Sequence, residues 1–311
     1  MVVCIIAFLS SFLSVPATFN NRENCVYLLI FSYRRPLQLE ACLRSIATHV
    51  RGLDGVSVIY KISEPEYQKS YQELKQLFPD VEFAQEDVGP DTDLKSLMVR
   101  FVTQARPAYI MFGVDDMVVK NDIDVRECTQ FLEKTGAYGF YLRLGNQVDT
   151  CYTAHTFQGI PPLIFPCPGV CQWQFSQGTY DWNYLHTTDM TIYRKADVEP
   201  FVCSLPYKSP HEFESHWAQH APSYADRMGL CFEQPMVVSL PINIVKNDWV
   251  YNRKTGNYSV TQFLGMFEQG LRMDIEPFAH IQNRSAHMDY EPLFIMRNAP
   301  VIPLLLSEHD Q

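Results

Sequence analysis

The chain has 311 residues, of which 47% are hydrophobic, 13% aromatic and 19% charged. This composition excludes a disordered or collagen-like chain, because it supplies enough apolar side chains for a buried core. The 25 Lys and Arg against 35 Asp and Glu give a formal net charge of −10. We therefore expect no nucleic-acid partner, because non-specific binding to phosphates needs clustered positive charge.

Residues 1–22 are predicted to be a signal sequence, an anchor or a packed N-terminal extension. The stretch 1–19 has no charged side chain, and it is short for a membrane span but long enough for the core of a signal peptide. No Lys or Arg precedes it, so the usual basic start of a signal is missing. Membrane association is expected only through 1–19. A true signal or anchor implies the secretory pathway, and otherwise the chain is cytoplasmic or membrane-associated.

The pattern between residues 23 and 145 alternates between apolar runs and helical faces. The run VYLLIFSY is continuous and apolar, as in a strand covered on both faces. This alternation predicts an α/β fold with a mostly parallel, doubly wound sheet. The predicted strands are 26–33, 56–62, 81–84, 108–114 and 139–144, and the predicted helices are 37–50, 66–78, 92–105 and 122–134.

The sequence pattern changes in residues 146–311. The beginning of this half is rich in proline and aromatic residues, and its hydrophobic periodicity is weak. Strands are predicted at 190–194 and 236–245, and a helix at 260–269. We interpret this half as an irregular layer of the same domain, laid against the sheet. Loop-rich aromatic layers of this kind are typical ligand-binding walls.

The nine cysteines do not form a zinc pattern. Only Cys167 and Cys171 are closely spaced, and no second pair lies near them in the sequence. A structural zinc site is therefore not expected.

Polar residues follow each of the first four predicted strands. Arg34 follows the first, Glu64 the second, Asp91 the third, and Asp115 and Asp116 the fourth. Ligands of open parallel sheets bind beyond the carboxyl ends of the strands. The adjacent carboxylates after the fourth strand repel each other, and oxygen ligands suit Mg²⁺ or Mn²⁺. We therefore predict a divalent cation there; the alternative is a solvated acidic turn or helix N-terminus.

The run from VYLLIFSYRRP through YKISEP to YIMFGVDDMVV resembles the nucleotide-sugar half of GT-A-fold glycosyltransferases, in particular family-2-like enzymes, over residues 26–145. The resemblance implies a nucleotide-diphospho-sugar transferase-like fold, a nucleotide-sugar donor, and a glycan or other hydroxyl acceptor. The acidic motif reads Val-Asp-Asp here instead of a full Asp-x-Asp. The resemblance assigns donor binding to Ser32, Tyr33, Arg34, Glu64, Asp91, Lys95 and Asp115.

The same resemblance implies a metal site formed by Asp116 and a late histidine. In some GT-A enzymes a histidine near the end of the domain is a ligand of the metal, and His287 in NRSAHMDYE fits that role. Nucleotidyltransferases share the architecture, but they need a glycine-rich loop after the first strand. That loop reads Ser-Tyr-Arg-Arg-Pro in this chain, which argues against their chemistry.

The segment PHEFESHW offers the catalytic base. Inverting transfer needs a carboxylate that takes the proton of the acceptor hydroxyl, and the candidates are Glu212 and Glu214. We prefer Glu212, because Phe213 and Trp217 could form a sugar-stacking surface beside it. The alternative is a helix that begins at Ser209 and carries Glu212 in its first turn.

Further candidates are Asp189, as a pocket residue, and three tryptophans that could stack on a sugar. Each has a structural alternative, a turn for the aspartate and core packing for the others, which are Trp173, Trp182 and Trp249.

The sequence thus predicts an inverting glycosyltransferase assisted by Mn²⁺ or Mg²⁺. Two alternatives on the same fold stay open, a non-catalytic glycan- or nucleotide-binding protein and a sugar-nucleotide hydrolase.

Overall fold

A computed structural model describes residues 24–245, 258–298 and 301–307. The predicted signal or anchor, 1–19, lies outside the described residues, and so does Trp249. Among the residues that the structure describes, no helix is both long and apolar enough to cross a membrane.

The helices predicted for the first half all form, within a few residues of their predicted ends. Pro36 stands at the first position of the first helix, where its missing N–H costs nothing. Asp93 caps the third helix by accepting from the Ser96 backbone N–H. Gly136, at φ 67°, ends the fourth in the left-handed region. The helices are α1 (Pro36–His49), α2 (Tyr67–Leu77), α3 (Leu94–Gln104), α4 (Val125–Thr135), α5 (Lys195–Ser204), α6 (Pro210–Ala218) and α7 (Val260–Glu268).

The strands of the described chain are mostly short. In chain order they are β1 (Val26–Tyr33), β2 (Val50–Arg51), β3 (Leu53–Lys61), β4 (Val81–Glu86), β5 (Tyr109–Val114), β6 (Met117–Val119), β7 (Ile123–Asp124), β8 (Gly139–Tyr141), β9 (Thr150–Cys151), β10 (Thr156–Phe157), β11 (Ile164–Cys167), β12 (Val170–Gln174), β13 (Thr191–Arg194), β14 (Met228–Phe232), β15 (Val237–Ser239), β16 (Leu271–Met273) and β17 (Phe294–Met296). Short 3₁₀ helices cover Phe175–Gln177, Tyr180–Asn183, Ala221–Tyr224 and Glu276–His280.

Within the described residues a nine-stranded sheet runs in the order β11-β12-β14-β8-β13-β5-β1-β3-β4. Strands β4, β3, β1 and β5 are parallel. Strand β13 is antiparallel to both β5 and β8, and β12 is antiparallel to β14 and β11. Because β8 and β14 are parallel to each other, β12 and β13 alone oppose the common direction of the sheet. The predicted α/β class with a mostly parallel sheet is confirmed.

The second half corrects one expectation. We expected an irregular layer against the sheet, but this half contributes β11, β12, β13 and β14 to the sheet itself, and it also forms α5 and α6. The strand predicted at 190–194 is confirmed as β13, but β11, β12 and β14 have only four or five residues, so their alternation is too brief to detect by periodicity. The predicted strand 236–245 is also shorter than expected, since β15 ends at Ser239.

The two faces of the sheet are covered by separate hydrophobic clusters. One cluster packs α1, α2, α4 and α7 against the sheet, and the other packs α3, α5 and α6 on the opposite face. The second cluster contains Trp173, Trp182 and Trp217, all at most 1% exposed. The indole N–H of Trp173 donates to the Trp182 carbonyl at 2.8 Å. These tryptophans are core residues, and the sugar-stacking role considered for the first two is not open to them.

We predict that Trp173→Ala lowers the free energy of unfolding by about 3–5 kcal/mol, because it empties a large volume in a closed core. Urea denaturation followed by circular dichroism measures the change. Phe157→Ala is the matched control, since Phe157 is 69% exposed, and it should shift stability by no more than about 0.5 kcal/mol. Equal losses in both variants would contradict the assignment of Trp173 to the core.

Candidate functional site

The acidic pair Asp115 and Asp116 forms the turn between β5 and β6. It is not a solvated turn, because Asp115 is 4% exposed. One oxygen of Asp115 accepts from the Tyr33 backbone N–H and the other from Arg35, both at 3.1 Å. Asp116 accepts from the same Arg35 nitrogen at 3.1 Å and from the Ser239 hydroxyl at 3.3 Å. All four carboxylate oxygens therefore have protein donors.

Arg35 is fixed on its other side as well. Its Nε donates to the side-chain oxygen of Asn243 at 3.0 Å, and its Nη2 donates to the Asn243 carbonyl. The Gln38 amide donates to the same Asn243 oxygen at 2.8 Å. Burial alone would lower the pKa of Arg35, but the charges of Asp115 and Asp116 outweigh it and raise that pKa.

The titration of Asp115 reflects its buried position. The pKa of Asp115 is raised to about 6, with desolvation as the largest cause; the charge of Arg35 opposes this rise, and the charge of Asp116 adds to it. Sequence reasoning gave Arg35 no partner. The only signal was its position directly beside Arg34 after β1.

The residues after β1 and β3 come together beside this pair. Arg34 forms an ion pair with Glu64, with Nε 3.0 Å from Oε2, and its guanidinium lies 5.4 Å from the centre of the Tyr67 ring. The Tyr33 hydroxyl lies 2.9 Å from the Ser63 hydroxyl. The Tyr33 backbone N–H also donates to Asp115. The ends of β1, β3 and β5, where the donor site is predicted, therefore form one connected surface.

Three other predicted donor residues have different surroundings. Ser32 is buried, and its hydroxyl is 2.8 Å from that of Tyr71. Asp91 is exposed in the loop before α3. Lys95 donates to the Leu205 carbonyl at 2.8 Å, at the contact of α3 with the chain after α5. Their roles in donor binding stay predictions.

A second polar cluster lies at the same edge of the sheet. Strand β13 runs antiparallel to β5 with Thr191 opposite Phe112, so the residues just before β13 lie beside the carboxyl end of β5. There the Thr188 hydroxyl donates to Oε2 of Glu214 at 3.0 Å. Glu214 projects from α6, which packs onto this edge through Phe213 against Phe112.

Arg143 holds this second cluster together. It follows β8, whose carboxyl end lies at the same edge, and it is 2% exposed. Its Nη1 lies 3.4 Å from Asp181 and 3.5 Å from Asp189. The pKa of Glu214 is raised to about 7, with desolvation as the largest cause and the charge of Asp189 as the next, while the charge of Arg143 opposes the rise. A carboxyl with a pKa near neutrality is suited to accept and release a proton.

Glu212 occupies a different environment from Glu214. The segment folds as a helix capped by Ser209, whose hydroxyl accepts from the Glu212 N–H at 3.2 Å. The exposed Glu212 carboxylate accepts in turn from the backbone N–H of Lys208, just before the helix, at 2.7 Å. The stacking surface expected beside it is absent, because Phe213 and Trp217 are fully buried. The preference for Glu212 is therefore reversed.

His287 is connected to the acidic pair only indirectly, through Ser239. Its backbone bridges to Ser239, the residue that donates to Asp116, and its ring stacks on Tyr152 with centres 6.0 Å apart. The described residues contain no group of three or more His, Cys, Asp or Glu that could hold a metal ion. With all four oxygens of the acidic pair engaged, the residues present do not fit the predicted Mn²⁺ or Mg²⁺ site of Asp116 and His287.

Comparison with known proteins supports the predicted resemblance. No family model matches the chain. The bifunctional glycosyltransferase pgtA of Dictyostelium discoideum is 26% identical over 199 residues, which cover 58% of this chain and 25% of that protein. The chain thus spans about a quarter of the length of this curated relative. The similarity to a glycosyltransferase confirms the resemblance that the motifs predicted.

Solved structures match the chain at low identity and at TM-scores below 0.5. TarS 1-349 of S. aureus aligns at a TM-score of 0.45 and 14% identity, covering 70% of this chain and 61% of that one. Its complex with UDP-GlcNAc aligns at 0.43 and 14%, covering 67% and 55%. A nucleotidyl transferase from Methanothermobacter aligns at 0.39 and 10%, covering 79% and 97%.

The raised pKa of Glu214 predicts a pH-dependent stability. Its folded pKa lies above the ordinary value of 4.5, so the unfolded chain binds fewer protons between these values and stability falls as pH rises from about 4.5 to about 7. Glu214→Gln removes this loss. At pH 8 we expect the variant to gain roughly 1–3 kcal/mol over the parent protein, and much less at pH 5.

Urea unfolding at both pH values measures this difference. Glu212→Gln is the control, because Glu212 is exposed in a helix cap. An equal effect of Glu214→Gln at the two pH values would show that the Glu214 carboxyl has an ordinary pKa.

Proposed function

We propose that this chain is a GT-A-type glycosyltransferase that moves a sugar from a nucleotide-sugar donor to an acceptor hydroxyl with inversion. The observation that carries the proposal is the shared edge of the two polar clusters. The acidic pair follows β5 directly, and Glu214 lies beside the residues that lead into β13, the antiparallel neighbour of β5. A donor-binding surface and a candidate base therefore flank one end of one strand.

The donor side consists of groups suited to a sugar nucleotide. Tyr33, Arg34 and Glu64 line the ends of β1 and β3 and contact one another or the acidic pair. Carboxylates such as Asp115 accept from ribose or sugar hydroxyls, and arginine matches phosphate. Arg34 can bind the phosphates only while it also pairs with Glu64, whose Oε2 lies 3.0 Å from its Nε.

Glu214 is the proposed base of the transfer. It takes the proton of the acceptor hydroxyl as that oxygen bonds to the anomeric carbon from the side opposite the leaving group. The bond from the anomeric carbon to the diphosphate breaks, and its electron pair leaves on the nucleoside diphosphate. A pKa of about 7 for Glu214 keeps much of the carboxyl ionised at neutral pH while leaving it basic enough to accept a proton.

Ligand-induced thermal shifts test the donor half of the proposal. Ligands that bind only the folded state raise its apparent stability, so one sugar nucleotide should raise the melting temperature more than its parent nucleoside diphosphate. UDP and UDP-GlcNAc, which are each bound in a structure of TarS 1-349, belong in the panel. No shift with any nucleotide in folded protein would contradict the proposal.

Product analysis then separates transfer from the two alternatives. Incubation of the binding donor with a panel of glycans and simple alcohols should give a glycosylated acceptor. Free sugar formed at the same rate without any acceptor would identify a hydrolase. Binding with no turnover over the panel would identify a binding protein.

We predict that Glu214→Gln lowers kcat by about 10²–10⁴-fold, because it removes the base but keeps the shape of the side chain. Donor affinity should stay within about twofold, since Glu214 acts on the acceptor side. Glu212→Gln, two residues away, should keep the parent rate. A larger loss in Glu212→Gln than in Glu214→Gln would return the role of base to Glu212.

A further inference from the structure

The positive charge at the acidic pair is supplied by the chain itself. Arg35 reaches Asp115 and Asp116 with one nitrogen, 3.1 Å from an oxygen of each. We propose that Arg35 is a built-in counter-ion that takes the place of the expected divalent metal, so that the chain does not bind Mn²⁺ or Mg²⁺ at this pair.

The first argument is the supply of ligands. Divalent cations of this type take about six oxygen ligands in a defined arrangement. One oxygen of each carboxylate accepts from Arg35. The other oxygen of Asp115 accepts from the Tyr33 N–H, and the other oxygen of Asp116 accepts from the Ser239 hydroxyl. A cation would have to displace these donors from an already satisfied pair.

The second argument is that Arg35 is not free to move aside. Its side chain is 11% exposed, and its Nε and Nη2 donate to the side chain and the carbonyl of Asn243. Gln38, one turn along α1, holds the same Asn243 oxygen, and both Gln38 and Asn243 are buried. Displacement would leave a buried guanidinium without its carboxylates, which proteins strongly resist.

The third argument is the absence of a complete alternative ligand set. The structure groups no three His, Cys, Asp or Glu for a metal in the parts of the chain that it describes. His287 reaches the pair only through Ser239, and its ring stacks on Tyr152. An arginine that compensates both carboxylates also explains how they stay adjacent at a nearly closed turn.

Titration of the full chain with Mn²⁺ alone, followed by the electron paramagnetic resonance signal of free Mn²⁺, tests the proposal without any donor. The parent protein should show no saturable binding tighter than about 1 mM. Saturable binding that is lost in Asp116→Asn would overturn the proposal, because the cation would then reach the pair despite Arg35.

Arg35→Gln provides the converse test. It frees one oxygen on each carboxylate and leaves two uncompensated charges, so Mn²⁺ binding should become at least about tenfold tighter than in the parent. Asp116→Asn added to Arg35→Gln should reverse the gain. Arg34→Gln is the matched control, because Arg34 pairs with Glu64 and its loss should produce no gain. A folded Arg35→Gln protein that gains nothing would contradict the role of Arg35, and if that variant does not fold the comparison of the parent with Asp116→Asn decides.

A further experiment measures donor binding; it rests on the proposed function and is evaluated separately from the Mn²⁺ titration. The thermal shift given by the binding sugar nucleotide should be the same in excess chelator and in excess Mn²⁺. A shift that appears only with Mn²⁺ would overturn the proposal. No shift under either condition counts against the proposed donor, while the Mn²⁺ titration still decides the role of Arg35.

Discussion

The candidate site depends on the place of β5 in the sheet. β5 pairs in parallel with β1 on one side and antiparallel with β13 on the other. The ends of β1 and β5 and the start of β13 therefore meet at one edge, and backbone pairing fixes their relative positions. Gly113 lies close to the segment before β13, because a Cβ there would lie 2.8 Å from Cε of Met190 and the end of that side chain would have to shift.

The two polar clusters at this edge keep buried carboxylates in different ways. Arg35 donates directly to both members of the acidic pair. Arg143 lies between Asp181 and Asp189, and Glu214 is held by hydroxyl groups such as that of Thr188. With burial as the main cause in each, the pKa of Asp115 in the first arrangement is raised to about 6, and that of Glu214 in the second to about 7. The proposed function thus gives binding and proton transfer to separate acids at one edge of the sheet.

Sequence reasoning located the first half of the fold and the acidic pair, because long apolar runs and amphipathic helices leave a strong periodic signal. It did not find β11, β12 or β14, whose few residues gain their strand conformation from pairing with neighbours distant in sequence. It also ranked Glu212 above Glu214, because the two differ in burial and not in residue type. The partners of Arg35 could not be predicted, since Asn243 lies 208 residues further along the chain.

The backbone at Arg34, at the edge of the sheet that carries the candidate site, has an unfavourable conformation. Its φ of 59° lies in the left-handed region, which is unfavourable for a residue with a Cβ by about 1–2 kcal/mol. The turn of the backbone at this residue sends neighbouring arginines in different directions, Arg34 to Glu64 and Arg35 to the acidic pair. Glycine at position 34 would relax the backbone but remove the charge. An engineering scheme that ranked substitutions by folding stability alone would therefore select against the proposed donor surface, and position 34 should be held fixed in any thermostabilised version of this chain.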